Sequence, residues 1–339
     1  MVFAFSDNEK FSLIAVDDCF SLIEGEVLLP DGTWVLSRMP AEVDDQWVRW
    51  IGETRAERLK DANLIILRRV NSEKPSVLDE EHTALFQHVL DIFTLLQLSS
   101  IVCYADASAV QGSMEKGRVD IRQMVHLDYF YRSRKAPQMP VTLDRVVEAS
   151  EMAKVWRDLV LSNTHERFVR GGGILRDGYT HRFGQERIRQ FARAIEGLIQ
   201  PKPGKTTNQF KNRSQTFGVK GRAFERILYE AYEMRCDVEH VHAADRFLKA
   251  NYPEDQIETI AGIRTRQIEV LARESYRRIL TNSDIRAHFE TEATLDAFWA
   301  LNEDERRKIW GEPIDVTGFT EDDEDNEKLR QLKATYQDI

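Results

Sequence analysis

Apolar and polar positions divide this chain into two stretches with different periods. Up to about residue 140, short β-type runs surround one long helical run. Residues 11–16 and 25–29 predict strands, and Pro30-Asp31-Gly32 turns the chain into Thr33-Trp34-Val35-Leu36, a hairpin signal. Residues 62–67 predict another strand. Over 79–98 the spacing becomes helical, with Leu85, Val89, Ile92, Leu95 and Leu96 on one stripe. Residues 100–104 and 125–131 return to β-type composition.

From Thr142 onward the pattern is almost wholly helical. Leu143, Val146, Val147 and Met152 open one helix, with Thr142 placed to cap it. Gly171-Gly172-Gly173 predicts a break. Residues 185–200 then form an amphipathic helix with Ile188, Phe191, Ala192, Ile195, Leu198 and Ile199 on its stripe, stopped by Pro201 and Pro203. A polar loop over 202–222 precedes a helix over about 223–250, which carries Phe224, Ile227, Leu228, Ala231, Met234 and Val238. Further helices fit 256–280 and 294–310. The run Glu321-Asp322-Asp323-Glu324-Asp325-Asn326-Glu327 reads as a solvated acidic tail. The expected fold class is α+β overall: a mixed α/β domain over 1–140 of unknown role, an all-α bundle over 141–312, and an acidic C-terminal tail over 313–339. Pro137 and Pro140 mark the boundary.

Composition narrows the function classes. A chain of 339 residues accommodates two domains, and 42% hydrophobic with 31% charged residues is a soluble globular balance. A net charge of -10 argues against coating of nucleic acid by charge alone. It leaves room for a local basic site, because salt screens surface fields beyond about 10 Å. The three cysteines, Cys19, Cys103 and Cys236, are too few and too scattered for a disulfide framework or a Cys-rich zinc site, which suits a reducing cytoplasm. The N-terminal apolar run is too short for a signal peptide. The stretch 89–105 contains Asp91, Gln97, Ser99 and Ser100, so it predicts a buried helix followed by a strand and no membrane span. Neither Gly171 to Gly178 nor Pro203-Gly204-Lys205-Thr206-Thr207 has the glycine spacing of a phosphate-binding loop. No zinc helix and no nucleophile elbow occurs, so no cofactor and no metal is expected.

One hexapeptide carries chemistry: Arg235-Cys236-Asp237-Val238-Glu239-His240. An arginine stabilises a pentavalent phosphate and a histidine moves protons near neutral pH, so together they could cleave RNA without metal. Spacing alone is weak, because Arg176 and His181 repeat it in a segment expected to be a glycine-rich loop. It also fits a surface ion pair between Arg235 and Glu239, with Cys236 and His240 packed together. In an ideal helix Arg235 and His240 stand about 140° apart, with about 7.5 Å of rise between them. Either the helix is irregular there, or a second copy completes the site across a two-fold axis.

The segment Leu228-Tyr229-Glu230-Ala231-Tyr232-Glu233-Met234-Arg235-Cys236-Asp237-Val238-Glu239-His240 resembles the signature helix of the HEPN superfamily, in its Apea-like branch. Arg189-Gln190-Phe191-Ala192-Arg193-Ala194-Ile195-Glu196-Gly197-Leu198 is similar to the helix that precedes it. The resemblance covers 185–250, and at its widest the helices over 142–290. Cys236 stands where a polar residue commonly follows the arginine, and Val241 where a small residue often follows the histidine.

The resemblance implies a HEPN-like helical bundle that dimerises and, in active members, cuts RNA without metal. His240 would act as general base or acid and Arg235 would hold the phosphoryl group. Asp237 would orient either of them, and Glu196 would orient Arg235 from the neighbouring helix. A buried structural carboxylate at Glu196 and an ordinary exposed helix residue at Asp237 remain open. His242 reads as a flanking residue. The acid-free segment 202–222 places Lys202, Lys205, Lys211, Arg213, Lys220 and Arg222 beside Phe210 and Phe217, a composition that suits single-stranded RNA. The expected function is a metal-independent endoribonuclease, a toxin or antiviral defence effector, with RNA, a second copy and a regulatory protein as partners. The alternative is a non-catalytic HEPN-like dimerisation or binding scaffold.

Overall fold

The computed structural model describes residues 3–17, 19–99, 107–127, 140–181, 183–240 and 246–318. The fold class is α+β, as expected, and the chain divides into two compact units, Met1–Lys154 and Val155–Ile339.

The first unit is built on strands β1 (Glu9–Val16), β2 (Glu26–Leu28), β3 (Trp34–Leu36), β4 (Leu64–Asn71), β5 (Ala107–Glu115) and β6 (Arg118–Leu127). They form one antiparallel sheet in the order β2-β3-β4-β1-β5-β6. β1 lies between β4 and β5 and is buried along its whole length, which explains an apolar run without clean alternation. Alternate residues of the sheet (Phe11, Leu13, Ala15, Ile65, Leu67) join Trp47, Ile51, Ala56 and Leu59 of helices α1 (Asp45–Ile51) and α2 (Glu53–Asp61) in one core. Helix α3 (Glu80–Ser99) packs on β1, β4 and β5.

Sequence periodicity misses α1 and α2, because both are short and α2 is mostly charged. Asp44 starts α1 by accepting from the N–H groups of Gln46 and Trp47, and Gly52, at φ 87°, separates the two helices. It also misses β5, whose buried residues are chiefly small or polar. The strand expected over 100–104 lies outside the described residues, as does 128–131 of the next; the described part of that strand begins earlier, at Arg118. The division between units falls later than 140, inside α4 (Leu143–Ser162). The first half of α4 belongs with the sheet: Val141 bridges to Ser21, the Ser99 hydroxyl donates to the Arg145 carbonyl at 3.1 Å, and the Ser150 hydroxyl donates to Asp31 at 2.9 Å.

The second unit is helical: α5 (Glu166–Thr180), α6 (Gly184–Ile199), α7 (Thr206–Ser214), α8 (Arg222–Glu239), α9 (Arg246–Asn251), α10 (Ile257–Thr281), α11 (Ser283–Ala287), α12 (Glu292–Ala300) and α13 (Glu303–Trp310). α6 packs against α5, α7, α8 and α10 through the apolar stripe read from its sequence. Four expectations need correction, the first being the helix over about 223–250, which ends at Glu239 with α9 as a separate helix from Arg246. Gly171-Gly172-Gly173 is not a break but lies within α5, where a Cβ on Gly171 would sit 1.9 Å from the Tyr276 hydroxyl and one on Gly172 2.7 Å from the Trp156 ring. The 202–222 loop contains α7, because Phe210 and Phe217 are buried against Tyr232 and Trp310. The helix expected over 294–310 is two helices, each opened by its own capping box, at Thr291 and Asn302.

Candidate functional site

Arg235 lies near the end of α8 with its side chain only 17% exposed, beside α6. Its Nη2 donates to Oε2 of Glu196 at 3.1 Å, and Glu239 on its own helix is farther away at 3.9 Å. The guanidinium also lies 5.6 Å from the Tyr232 ring. The partner that holds Arg235 thus comes from the neighbouring helix rather than from the i+4 position. Burial works against the Arg235 charge, but Glu196 and then Glu239 outweigh it and hold the guanidinium above its usual range. Burial pushes the Glu196 carboxyl up, and Arg235, Arg193 and Arg167 only partly offset this. Oε1 of Glu196 and Nε of Arg235 are buried and have no hydrogen-bond partner among the described residues.

α8 ends at Glu239, and His240 is its exposed C-cap at φ -92°, ψ 13°, its N–H bonded to the carbonyls of Cys236 and Val238. The bond to Cys236 keeps the histidine in helical register with Arg235, and regular helical φ/ψ is lost only at His240 itself. Arg176 and His181 are placed in the same way, inside α5 and at its C-cap, not in a loop. Helical setting does not distinguish the two pairs; the acid on the neighbouring helix does. Scans of protein-family models, curated proteins and solved structures returned no match to this chain.

Asp237 has a different role from the one expected. It is 3% exposed, and its Oδ1 accepts from Nε of Arg246 at 3.0 Å while Oδ2 accepts from the Phe247 N–H at 2.8 Å. Both oxygens secure the start of α9, so neither is directed to Arg235 or His240. It is also not the ordinary exposed helix residue that spacing allows. Val241 and His242 lie outside the described residues.

The expected RNA-binding segment is only partly available. Arg213 donates to the carbonyls of Ile199 and Gln200 at 2.7 and 2.9 Å and so closes the end of α6. Lys220 pairs with Asp304 at 3.2 Å, on the rim of an open depression otherwise lined by Asn302, Glu303, Glu305 and Lys308. Lys211 lies 4.7 Å from the Tyr229 ring, and Lys202, Lys205 and Arg222 are exposed. Phe210 and Phe217 are buried, which removes them as stacking surfaces.

Two residues that sequence reasoning passed over stand at the site. Arg167 of α5 donates from Nη2 to the Glu196 carbonyl at 3.2 Å, and Arg193 is three residues before Glu196 on α6. The spacing of Arg193 was visible in the sequence; the approach of Arg167 depends on the packing of α5 against α6. Among the described residues no group of three or more His, Cys, Asp or Glu side chains is placed to hold a metal, and no helix is long and apolar enough to cross a membrane.

Proposed function

We propose that the helical unit is a metal-independent endoribonuclease of the HEPN kind, with Arg235 and His240 as its catalytic residues. The observation that carries this reading is the Glu196–Arg235 pair, in which a carboxylate from the neighbouring helix α6 holds the motif arginine near the helix end that bears His240. In the reaction a ribose 2′-oxygen attacks the adjacent phosphorus, the bond to the 5′-oxygen breaks, and a cyclic phosphate and a free 5′-hydroxyl result. His240 takes the proton of the 2′-hydroxyl or gives one to the departing oxygen, a contribution of about 10²- to 10⁴-fold. Arg235 stabilises charge on the phosphoryl oxygens, a contribution of about 10²- to 10³-fold. One histidine performs one of the two proton transfers, and a second copy related by two-fold symmetry supplies the other. The three scattered cysteines suit action in a reducing cytoplasm, as a toxin or defence effector that the N-terminal unit senses for or restrains.

A second reading has its own observation. Glu196 and Glu239 both face Arg235 and compete with a phosphate for it, as in a non-catalytic dimerising scaffold. Incubation of the purified protein with RNA in chelator, beside Arg235→Ala and His240→Ala, separates the two. Cleavage by wild type alone supports the enzyme; RNA binding without cleavage in all three supports the scaffold.

A further inference from the structure

We infer that single-stranded RNA reaches this site along helix α6, on Arg189, Arg193 and Arg167 with Phe183 as a base-stacking platform, and not along 202–222. The inference rests on the ribonuclease reading. Arg189, Arg193 and Glu196 follow at spacings of four and three residues, so they share one face of α6 that leads to Arg235. Arg193 is part-exposed and makes no hydrogen bond or ion pair with any described residue, whereas Arg189 pairs with Glu186 at 2.8 Å. Arg167 reaches the same carboxylate-bearing turn from α5, and its Nε is buried without an acceptor. Around Glu196, three guanidiniums (Arg167, Arg193, Arg235) meet two carboxylates (Glu196, Glu239), a local positive excess in a chain of net charge -10.

The second observation is Phe183. It is the N-cap of α6 and 69% exposed, an aromatic ring left in water at the N-terminal end of the helix that carries Arg189 and Arg193. Guanidiniums spaced along a helix meet successive phosphates, and an exposed ring accepts an unstacked base, which is the chemistry of a single strand rather than a duplex. In 202–222 the aromatics are buried and two of the six cations are held by other protein groups.

The test is fluorescence anisotropy of a short labelled single-stranded RNA on the full-length His240→Ala protein, which does not cleave. Arg193→Gln, Phe183→Ala and a combined Lys202→Gln, Lys205→Gln, Arg222→Gln variant are added to it. Far-UV circular dichroism checks each for folding. Arg193→Gln is expected to weaken binding about tenfold and to flatten the log–log salt slope by about 0.7. Phe183→Ala is expected to weaken it at least about fivefold with the slope unchanged. The combined variant is expected to change it less than about twofold, and duplex RNA of the same length to bind more weakly. Loss of binding in the combined variant with Arg193→Gln unaffected overturns the α6 track and leaves the ribonuclease reading intact. Absence of RNA binding in the parent overturns both.

Discussion

Glu230 and Glu196 are both carboxylates of the helical unit held by arginines, yet they are built differently. Glu230 is 5% exposed and fully engaged. One oxygen accepts from Nε of Arg226 and the Tyr252 hydroxyl, both at 2.6 Å, and the other accepts from Nε of Arg264 at 2.6 Å. Burial pushes its carboxyl up, but these donors outweigh burial and hold it below the usual range. Glu196 is 13% exposed, has one oxygen on Arg235 and the other without a partner, and there burial wins. A buried acid with both oxygens answered is a tie between helices α8 and α10. An acid that is half answered, beside a partly exposed arginine, keeps capacity for something that arrives.

The largest effect that can break this comparison is Glu230→Ala. It leaves Arg264, which is 11% exposed, without its carboxylate and with Gln267 as its remaining acceptor, and is expected to cost about 3–5 kcal/mol in urea unfolding. A loss below about 1 kcal/mol would place Glu230 in the same class as a surface pair and erase the distinction.

Asp237 sharpens the comparison from within the motif. Its carboxylate caps α9 through the Phe247 N–H and pairs with Arg246, so Asp237→Ala is expected to cost about 1–2 kcal/mol. RNA cleavage by the folded variant should persist. Cleavage abolished with stability unchanged would return Asp237 to the catalytic group.

What could be read beforehand follows period and partner. The amphipathic stripe of α6, the hairpin of β2 and β3 and the long α3 and α10 are set by apolar spacing, and they were legible. Glu196 was legible as a partner of Arg235 only through the resemblance of its helix to the one that precedes the signature helix. What was not legible depends on contacts distant in sequence. The three glycines of α5 look like a break until Tyr276 and Trp156 supply the reason for them. Arg213 looks like a free cation until it meets the end of α6. Asp237 looks exposed until α9 folds back onto it. Charge in sequence says what a side chain can bind, and packing decides whether that capacity is already used.

The smallest expected stability effect separates the two acids by the sign of their pH dependence. For Glu230, whose folded carboxyl is depressed, the stabilisation is present above the ordinary carboxylate value of about 4.3 and is lost as pH falls through the folded value. The cost of Glu230→Gln is therefore largest at neutral pH and shrinks in acid. For Glu196, whose folded carboxyl is raised, the folded state holds its proton more tightly than the unfolded chain. Its favourable contribution is complete below about pH 4.3 and is lost as pH rises through the raised folded value. Glu196→Gln is therefore expected to cost no more than about 1 kcal/mol at pH 7, because Arg235 can be partly rehydrated, and relatively more at pH 4. RNA cleavage by that variant should fall at least about tenfold in kcat/KM, since Arg235 loses the group that fixes its position. Urea unfolding at several pH values, with cleavage measured on the same preparations, checks both parts. Parallel pH curves for the two glutamine variants, with cleavage intact in Glu196→Gln, would make Glu196 a second structural tie and remove the acid that sets Arg235 apart from Arg176.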